Sequence, residues 1–521
     1  VTNGQIDIGK AGSGTLNVTG GTVAVKELLV GTNSVITFNG GTIISEGTTI
    51  DSGTGFIIGD TGSGATFIAN GGTHNIDTTD TNIFTGLIVG NSGSSNSLVI
   101  SNGGTVQSSF LALGGLPLSA EPSTTSSNNS VLVTGEGSAW NGSTIAVGFS
   151  GSGNSLVISN GGTVANGFGY IGDRATSSNN SALVTGSNSV WTNSGEFTVG
   201  VSGAGNILTL ADGGALAAST IIVASEAGSS GTLNLGRFGT NDTAGTIIAP
   251  TIAFGAGTGA INFNQSDAVT ITSSISGAGT LNQLGAGTTT LSGTNTYTGA
   301  TTVAAGRLVV DGSITNSAVS VQNVASLSGS GVVGAISGAG SIDPGHSPGI
   351  LTSTSLDPSG GLSLNFEFTG LNPVYSDATA SVNDVLRLTA ATPFVASLTV
   401  ANAVNIYFNV DLFAGGQVYT GGFFTDTQLD FLGQLVNGDF NYYVKDAAGT
   451  VSYEGGTYAA LGAGLTIDLT TVSQSGDFAA GTVNGQISQF EVVPEPSTYA
   501  LLALAAAGLG AHLLRRRSPE S

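Results

Sequence analysis

Few side chains in this sequence suit chemistry, so their types and spacing can be weighed one at a time. There is no cysteine, which removes thiolate nucleophiles, thiolate metal sites and disulfides together. Histidine occurs only at His74, His346 and His512. His346 lies in "DPGHSPG", where proline and glycine set a turn. His74 takes a place that valine fills in two related segments, which predicts an outward-facing strand residue. No serine–histidine–carboxylate set can be nominated from them. A glycosidase needs two carboxylates about 5–10 Å apart, and a lyase needs clustered carboxylates for calcium beside a basic residue. Asp77 and Asp80 in "IDTTDTN", and Asp426 and Asp430 in "TDTQLDF", come nearest to such pairs. A Thr- and Asp-rich turn explains the first pair, and a solvated strand face the second. No calcium loop of the Asp-x-Asp-x-Asp-Gly kind is present, so no metal ligand is nominated and no cofactor is implied. Trp140 and Trp191 could stack on sugar rings; the preferred alternative is that they anchor the core or a corner of a repeat.

The densest constellation closes the chain. Pro494, Glu495 and Pro496 precede an uncharged run of 16 residues, Tyr499 to Leu514, and then Arg515, Arg516 and Arg517. As a helix the run is roughly 24 Å long, against a bilayer core of ~30 Å. It predicts a short transmembrane helix, with the arginines on the cytoplasmic side and the body exported. The prolines hold their backbone extended and outside the helix, where a protease can reach it.

The elements that position these residues follow from composition. Glycine supplies 84 of 521 residues, and charged residues only 8%. The mean hydropathy of +0.29 is too high for a disordered chain. With 32 acidic and 10 basic residues the net charge is −22, and three of the ten are the terminal arginines. No basic stripe exists to neutralise phosphates, so nucleic acid is excluded as a partner. The sequence does not start with Met, which predicts a removed N-terminal export segment or a fragment.

Repeats organise the rest. "GSGTLNVTGGTV" (12–23), "GSSNSLVISNGGTV" (93–106), "GSGNSLVISNGGTV" (151–164) and "GAGNILTLADGGAL" (203–216) share a Gly-Ser turn, an alternating run and a Gly-Gly corner. The corners at Gly103, Gly161 and Gly213 are 58 and 52 residues apart, and Trp140 and Trp191 are 51 apart. In "NSLVISN" alternation points Leu98 and Ile100 inward together, with Val99 and Ser101 outward. Gly-Gly supplies positive φ at a corner. Coils of roughly 20 residues stacked at ~4.8 Å would pair each backbone group with its neighbours above and below. A right-handed parallel β-helix is therefore the leading fold, with a sandwich of short antiparallel strands as runner-up. Gly-rich stretches such as "GAGTG" (255–259) read as corners, not phosphate loops.

From about residue 277 the pattern changes. "GAGTTTLSGTNTYTGATTV" (285–303) closely resembles the autotransporter-associated β-strand repeat, and "GSGVVGAISGAGSIDPGHSPGILT" (329–352) is similar to the coils that close such arrays. That resemblance implies β-helix coils of a secreted passenger domain. The chain end resembles the PEP-CTERM sorting signal in Pro494, Glu495 and Pro496, the apolar run, and Arg515 to Arg517. This second resemblance implies an exosortase, an inner-membrane protease-transferase, as processing partner, and bacteria that make exopolysaccharide as the setting.

The expected fold is all-β: a β-solenoid over 1–276, the autotransporter-type repeat and closing coils over 277–352, an antiparallel β cap domain over 353–491, and the sorting signal with its transmembrane helix over 492–521. The expected role is that of a non-catalytic protein of the cell surface or matrix, passing transiently through the inner membrane by 499–514 and associated with exopolysaccharide or biofilm. The alternatives are an adhesin for a glycan or cell surface, and a β-helix polysaccharide lyase or hydrolase.

Overall fold

The computed structural model describes residues 4–9, 12–76, 86–115, 126–346, 348–368 and 384–390, together with the strand backbones 404–409, 419–426, 440–445, 451–453, 465–477 and 482–494. Two compact units divide the chain, Val1–Thr301 and Thr302–Ser521. Among the described residues the structure is all-β, apart from a single 3₁₀ turn at Pro358–Gly360.

In the first unit each coil contributes up to three strands, and each strand lies parallel to its counterpart one coil later. Ser130–Thr134 pairs with Ser155–Ser159, which pairs with Ser181–Thr185, without a register shift. The other two columns repeat the arrangement, as in Thr144–Val147 on Phe168–Ile171 and Thr163–Asn166 on Val190–Asn193. These long parallel sheets are the pairing pattern of a β-solenoid. Alternation assigns the faces: Leu98 and Ile100 are fully buried, while Val99 and Ser101 are only half-buried.

Coil length varies, which corrects the expectation of roughly 20 residues throughout. Thr22 faces Thr42, an advance of 20; Ser130 faces Ser155 and Ser155 faces Ser181, advances of 25 and 26; Asn262 faces Asn282, again 20. The 50-residue unit of the sequence is thus two coils. Val106, Trp140, Val164 and Trp191 occupy one inward column on four successive coils, so a bulky coil alternates with a slim one. Room for the Trp140 indole is left by a small neighbour: a Cβ on Gly142 would meet its ring at 2.5 Å.

The paired glycines at the corners do different work. Asn160 and Gly161 both take the left-handed conformation (φ 52° and 83°), which reverses the chain in two residues. Gly162 has an ordinary φ, but a Cβ there would stand 2.5 Å from the Val133 carbonyl oxygen of the coil below. The first glycine answers to conformation and the second to close approach.

The second unit is also built on parallel pairing. Arg307–Val310, Ser326–Gly329, Ser341–Pro344, Ser363–Phe368, Val404–Asn409 and Phe440–Lys445 follow one another in a column. Ile350–Ser353, Val385–Leu388 and Tyr419–Asp426 form another. The antiparallel domain expected over 353–491 is therefore corrected, because parallel coils persist to Lys445. Among the described strands of this unit, antiparallel pairing occurs for Val451–Tyr453 on Phe440–Lys445 and for the strand Thr482–Pro494, held between Tyr419–Asp426 and Leu465–Asp477, beside the isolated bridge Gly329 to Gly345. Residues 499–514 lie outside the described residues, and no described helix is long and apolar enough to cross a membrane.

Candidate functional site

The column of Ser97–Ser101, Ser130–Thr134, Ser155–Ser159 and Ser181–Thr185 is taken as the third strand of each coil, and the corner leading into it carries a buried asparagine on each central coil. Asn96, Asn129, Asn154, Asn180 and Asn206 stack into a ladder. From Asn129 onward each Oδ1 accepts twice from the asparagine one coil earlier, while Asn96 Oδ1 accepts from the Ala65 N–H. Asn154 Oδ1 takes the Asn129 backbone N–H at 2.9 Å and its Nδ2 at 3.0 Å, while Asn154 Nδ2 donates to Asn180 Oδ1 at 3.0 Å. The ladder satisfies backbone donors that the turn would otherwise bury unpaired. It stops at Asn206, whose Nδ2 is buried without a partner. Each amide also sits where a glycine leaves room: a Cβ on Gly114, Gly148 or Gly172 would collide with Asn154, Asn180 or Asn206.

Trp140 and Trp191 are wholly buried. Trp140 Nε1 donates to Ser108 Oγ at 3.0 Å, Trp191 Nε1 donates to Asn166 Oδ1 at 2.8 Å, and the Trp191 ring meets Phe197 edge-on at 4.7 Å. Neither ring offers a face to solvent, so the sugar-stacking alternative is set aside for the core-anchor one. His74 is likewise buried, against expectation. It shares the inward column of Val106, its Nε2 donates to the Gly71 carbonyl at 2.8 Å, and its Nδ1 lies 2.9 Å from Thr48 Oγ1. Burial lowers its pKa, and the bond to Gly71 opposes the shift only in part.

The carboxylates have local partners, and Asp212 and Asp242 share one. Asp60 accepts from Asn91, Asp212 and Asp242 from Arg237, and Asp311 from the exposed His346 at 2.6 Å. Asp242 is held below its ordinary pKa mainly by the Arg237 hydrogen bond. Asp384 is buried and pushed up to about 8, although the Gly349 and Glu367 N–H groups donate to it and favour its charge. Neither described histidine is bonded to a serine hydroxyl among the described residues, and no group of three or more His, Cys, Asp or Glu there could hold a metal. Asp77, Asp80, Asp430 and His512 lie outside the described residues, as do Glu495, Pro496 and Arg515 to Arg517.

Pro494 is the last described residue. It ends the strand Thr482–Pro494, in which Val492 faces Tyr419 on one side and Ile467 on the other, and Pro494 faces Leu465. This strand therefore includes the first residue of the proline pair. Sequence reasoning missed the asparagine ladder, though its signal was present: the same amide opens "NSLVIS" at 96 and 154 and "NSVLVT" at 129.

Comparison with known proteins adds two matches to family models. Residues 281–310 match the passenger-associated-transport-repeat, and residues 492–517 match the PEP-CTERM protein-sorting motif. Over 108 residues, 20% of this chain, the sequence is 42% identical to the "Adhesin BmaC autotransporter" of Brucella suis biovar 1 (strain 1330), of which 3% is covered. Over 79 residues, 15% of this chain, it is 48% identical to the "Extracellular serine protease" of Serratia marcescens, of which 8% is covered. The chain thus spans a small fraction of either relative's length.

Proposed function

We propose that this chain, which carries a PEP-CTERM sorting motif and a passenger-associated-transport repeat, is an exported, non-catalytic protein of the cell surface. Its four segments, 1–276, 277–352, 353–491 and 492–521, divide the work between a solenoid body that meets the surroundings and a tail that is handled during export. The helix 499–514 holds the precursor in the inner membrane with Arg515, Arg516 and Arg517 behind it, and an exosortase acts at Pro494, Glu495 and Pro496. The coils take the right-handed sense that parallel crossovers favour. The body, acidic and rich in hydroxyls and amides, serves in association with exopolysaccharide in a biofilm. The observation that carries this reading is the sorting-motif match at 492–517 on a chain whose last described strand ends at Pro494.

The test is the mass of the mature C-terminus from cells with and without an exosortase. Loss of the segment after Pro494 in competent cells alone is expected. An uncut terminus in both would reduce the protein to a membrane-anchored solenoid. A second reading, an adhesin, draws on the identity to the protein named as an autotransporter adhesin. It is tested by binding of the purified protein to cells or glycans.

A further inference from the structure

On the first unit, one outward column of the third strand is aliphatic over six successive coils: Ile44, Ile68, Val99, Leu132, Val157 and Leu183. They stand in direct register and are half-buried, chiefly because each is stacked between its neighbours. The same column continues as Thr209, Asn234, Asn262 and Asn282. The fold therefore accepts hydroxyl and amide side chains in this column, and the aliphatic stretch is not a requirement of folding. Hydroxyl columns flank it, and their members bond to one another: Ser130 Oγ to Ser97 Oγ at 3.1 Å, and Ser159 Oγ to Thr134 Oγ1 at 3.0 Å. From the Ile68 coil to the Leu183 coil none of the three columns carries a charge; on the Ile44 coil the exposed Glu46 takes the flanking position. Six rungs at ~4.8 Å by five residues of strand give a flat strip of roughly 400 Å², within the range at which apolar patches mark contact surfaces.

We propose that this strip is where two copies of the chain associate, face to face and antiparallel. Two observations select a second copy as occupant. First, the chain carries −22 charges, so contact elsewhere brings like charges together, whereas the rungs from Ile68 to Leu183 bring none. Second, a two-fold axis through the strip between Val99 and Leu132 lays like on like: Ile44 over Leu183, Ile68 over Val157, and Val99 over Leu132. One rung further at each end, Ala24 meets Thr209. Eight rungs bury roughly 1,100 Å² counting both copies, at the lower edge of specific interfaces, so the dimer is reversible. Because the opposing force is mutual repulsion, salt strengthens the association, the reverse of an electrostatic contact.

The experiment is sedimentation equilibrium of the purified full chain across the micromolar range, from low salt to about 0.5 M. A monomer–dimer equilibrium that tightens with salt is expected. Leu132→Lys should weaken it at least about tenfold, and Leu132→Thr, a substitution this column already tolerates at Thr209, should weaken it less, with unchanged far-UV circular dichroism. The chain has no cysteine, so Leu132→Cys with a short bis-maleimide should give a covalent dimer, and Gln107→Cys, exposed on another column, should not. A chain monomeric throughout overturns the proposal. So does association that ignores both substitutions at Leu132, which would assign it to another surface such as the apolar run 499–514. Neither outcome bears on C-terminal processing, so this inference and the proposed function fail separately.

Discussion

Replacing Asn154 by alanine tests whether the amide ladder holds the central coils together. The substitution removes the only acceptor shown for the Asn129 backbone N–H, at 2.9 Å, in a corner with no exposure. It also removes one of two acceptors for Asn129 Nδ2, which keeps Ser126 Oγ at 3.4 Å, and one of two donors to Asn180 Oδ1, which keeps the Asn154 N–H at 2.8 Å. An orphaned buried donor costs about 1–3 kcal/mol and each further lost bond about 1 kcal/mol. The expected total is ~3 kcal/mol, localised to the coils carrying Ser130–Thr134 and Ser155–Ser159. A stacked array need not unfold in one step, so hydrogen exchange resolved by segment is the suitable assay. Exchange in those two strands should accelerate by roughly a hundredfold, while Thr280–Gln283 stays as it was. Asn206→Ala orphans the Asn180 N–H and Nδ2, bonded to Asn206 Oδ1 at 3.0 and 3.2 Å, but it also removes the Asn206 Nδ2 that is already unpaired. The two Nδ2 changes offset and leave one orphaned N–H, so it should cost less. Equal effects at 154 and 206, or a change under about 0.5 kcal/mol at 154, would show that stacking of the strands alone holds the coils and the ladder is incidental.

Three further outcomes follow from the core. Trp191→Ala should cost about 3–5 kcal/mol by exchange or denaturant melting, whereas Trp140→Phe should cost about 1 kcal/mol, because Ser108 Oγ keeps its bond to the Phe110 carbonyl. His74 has a folded pKa below its ordinary 6.5, so the unfolded state binds the extra proton; stability should be full above 6.5 and fall as pH drops below it, and His74→Val should flatten that loss in thermal melts. Asp384 has the opposite sign: its folded pKa is raised from 3.8 to about 8, so its contribution is present below 3.8 and is lost as pH rises to about 8. Protection of Val385–Leu388 should therefore weaken across that window, beyond the intrinsic pH dependence of exchange, and Asp384→Asn should remove the trend.

Much of this was legible in the residues, and the parts that were not have physical causes. Alternation in "NSLVISN" put Leu98 and Ile100 inside because a strand's period leaves no other choice once one face is buried. Recurrence of Trp140 and Trp191 reported a true period but not the number of coils within it, since corners absorb insertions without disturbing register. Alternation is also silent on the direction of pairing, so the longer strands after residue 353 were read as antiparallel although Ser363–Phe368 and Val404–Asn409 run parallel. His74 was misplaced by its polarity. Its alignment with Val106 was the better guide, and the groups that make burial tolerable, Thr48 and the Gly71 carbonyl, lie on the previous coil and at its own corner.

The two amide series in the first unit show why such a sequence can be both monotonous and specific. Inside, Asn96 to Asn206 serve the corners of the longer coils, and the series ends where Ile207 faces Thr232 and the next corner places Gly231 opposite Asn206. Outside, Asn234, Asn262 and Asn282 begin a new series on the third strand, joined Nδ2 to Oδ1 at 3.0 and 2.9 Å. It runs into the coils of 20 residues that match the transport repeat. The outer series begins on coils that advance 25 and 28 residues, Thr209 to Asn234 and Asn234 to Asn262, so coil length does not decide the move; on the strand face the amide ties adjacent rungs directly. The aliphatic strip gives way to Thr209 at the inner series' last coil, that of Asn206–Ala211, one coil before the outer amides begin. A single boundary thus separates coils held at their corners, with an apolar outer face, from coils held on their faces, with a polar one. That division is what ends the proposed contact between copies at the Thr209 rung.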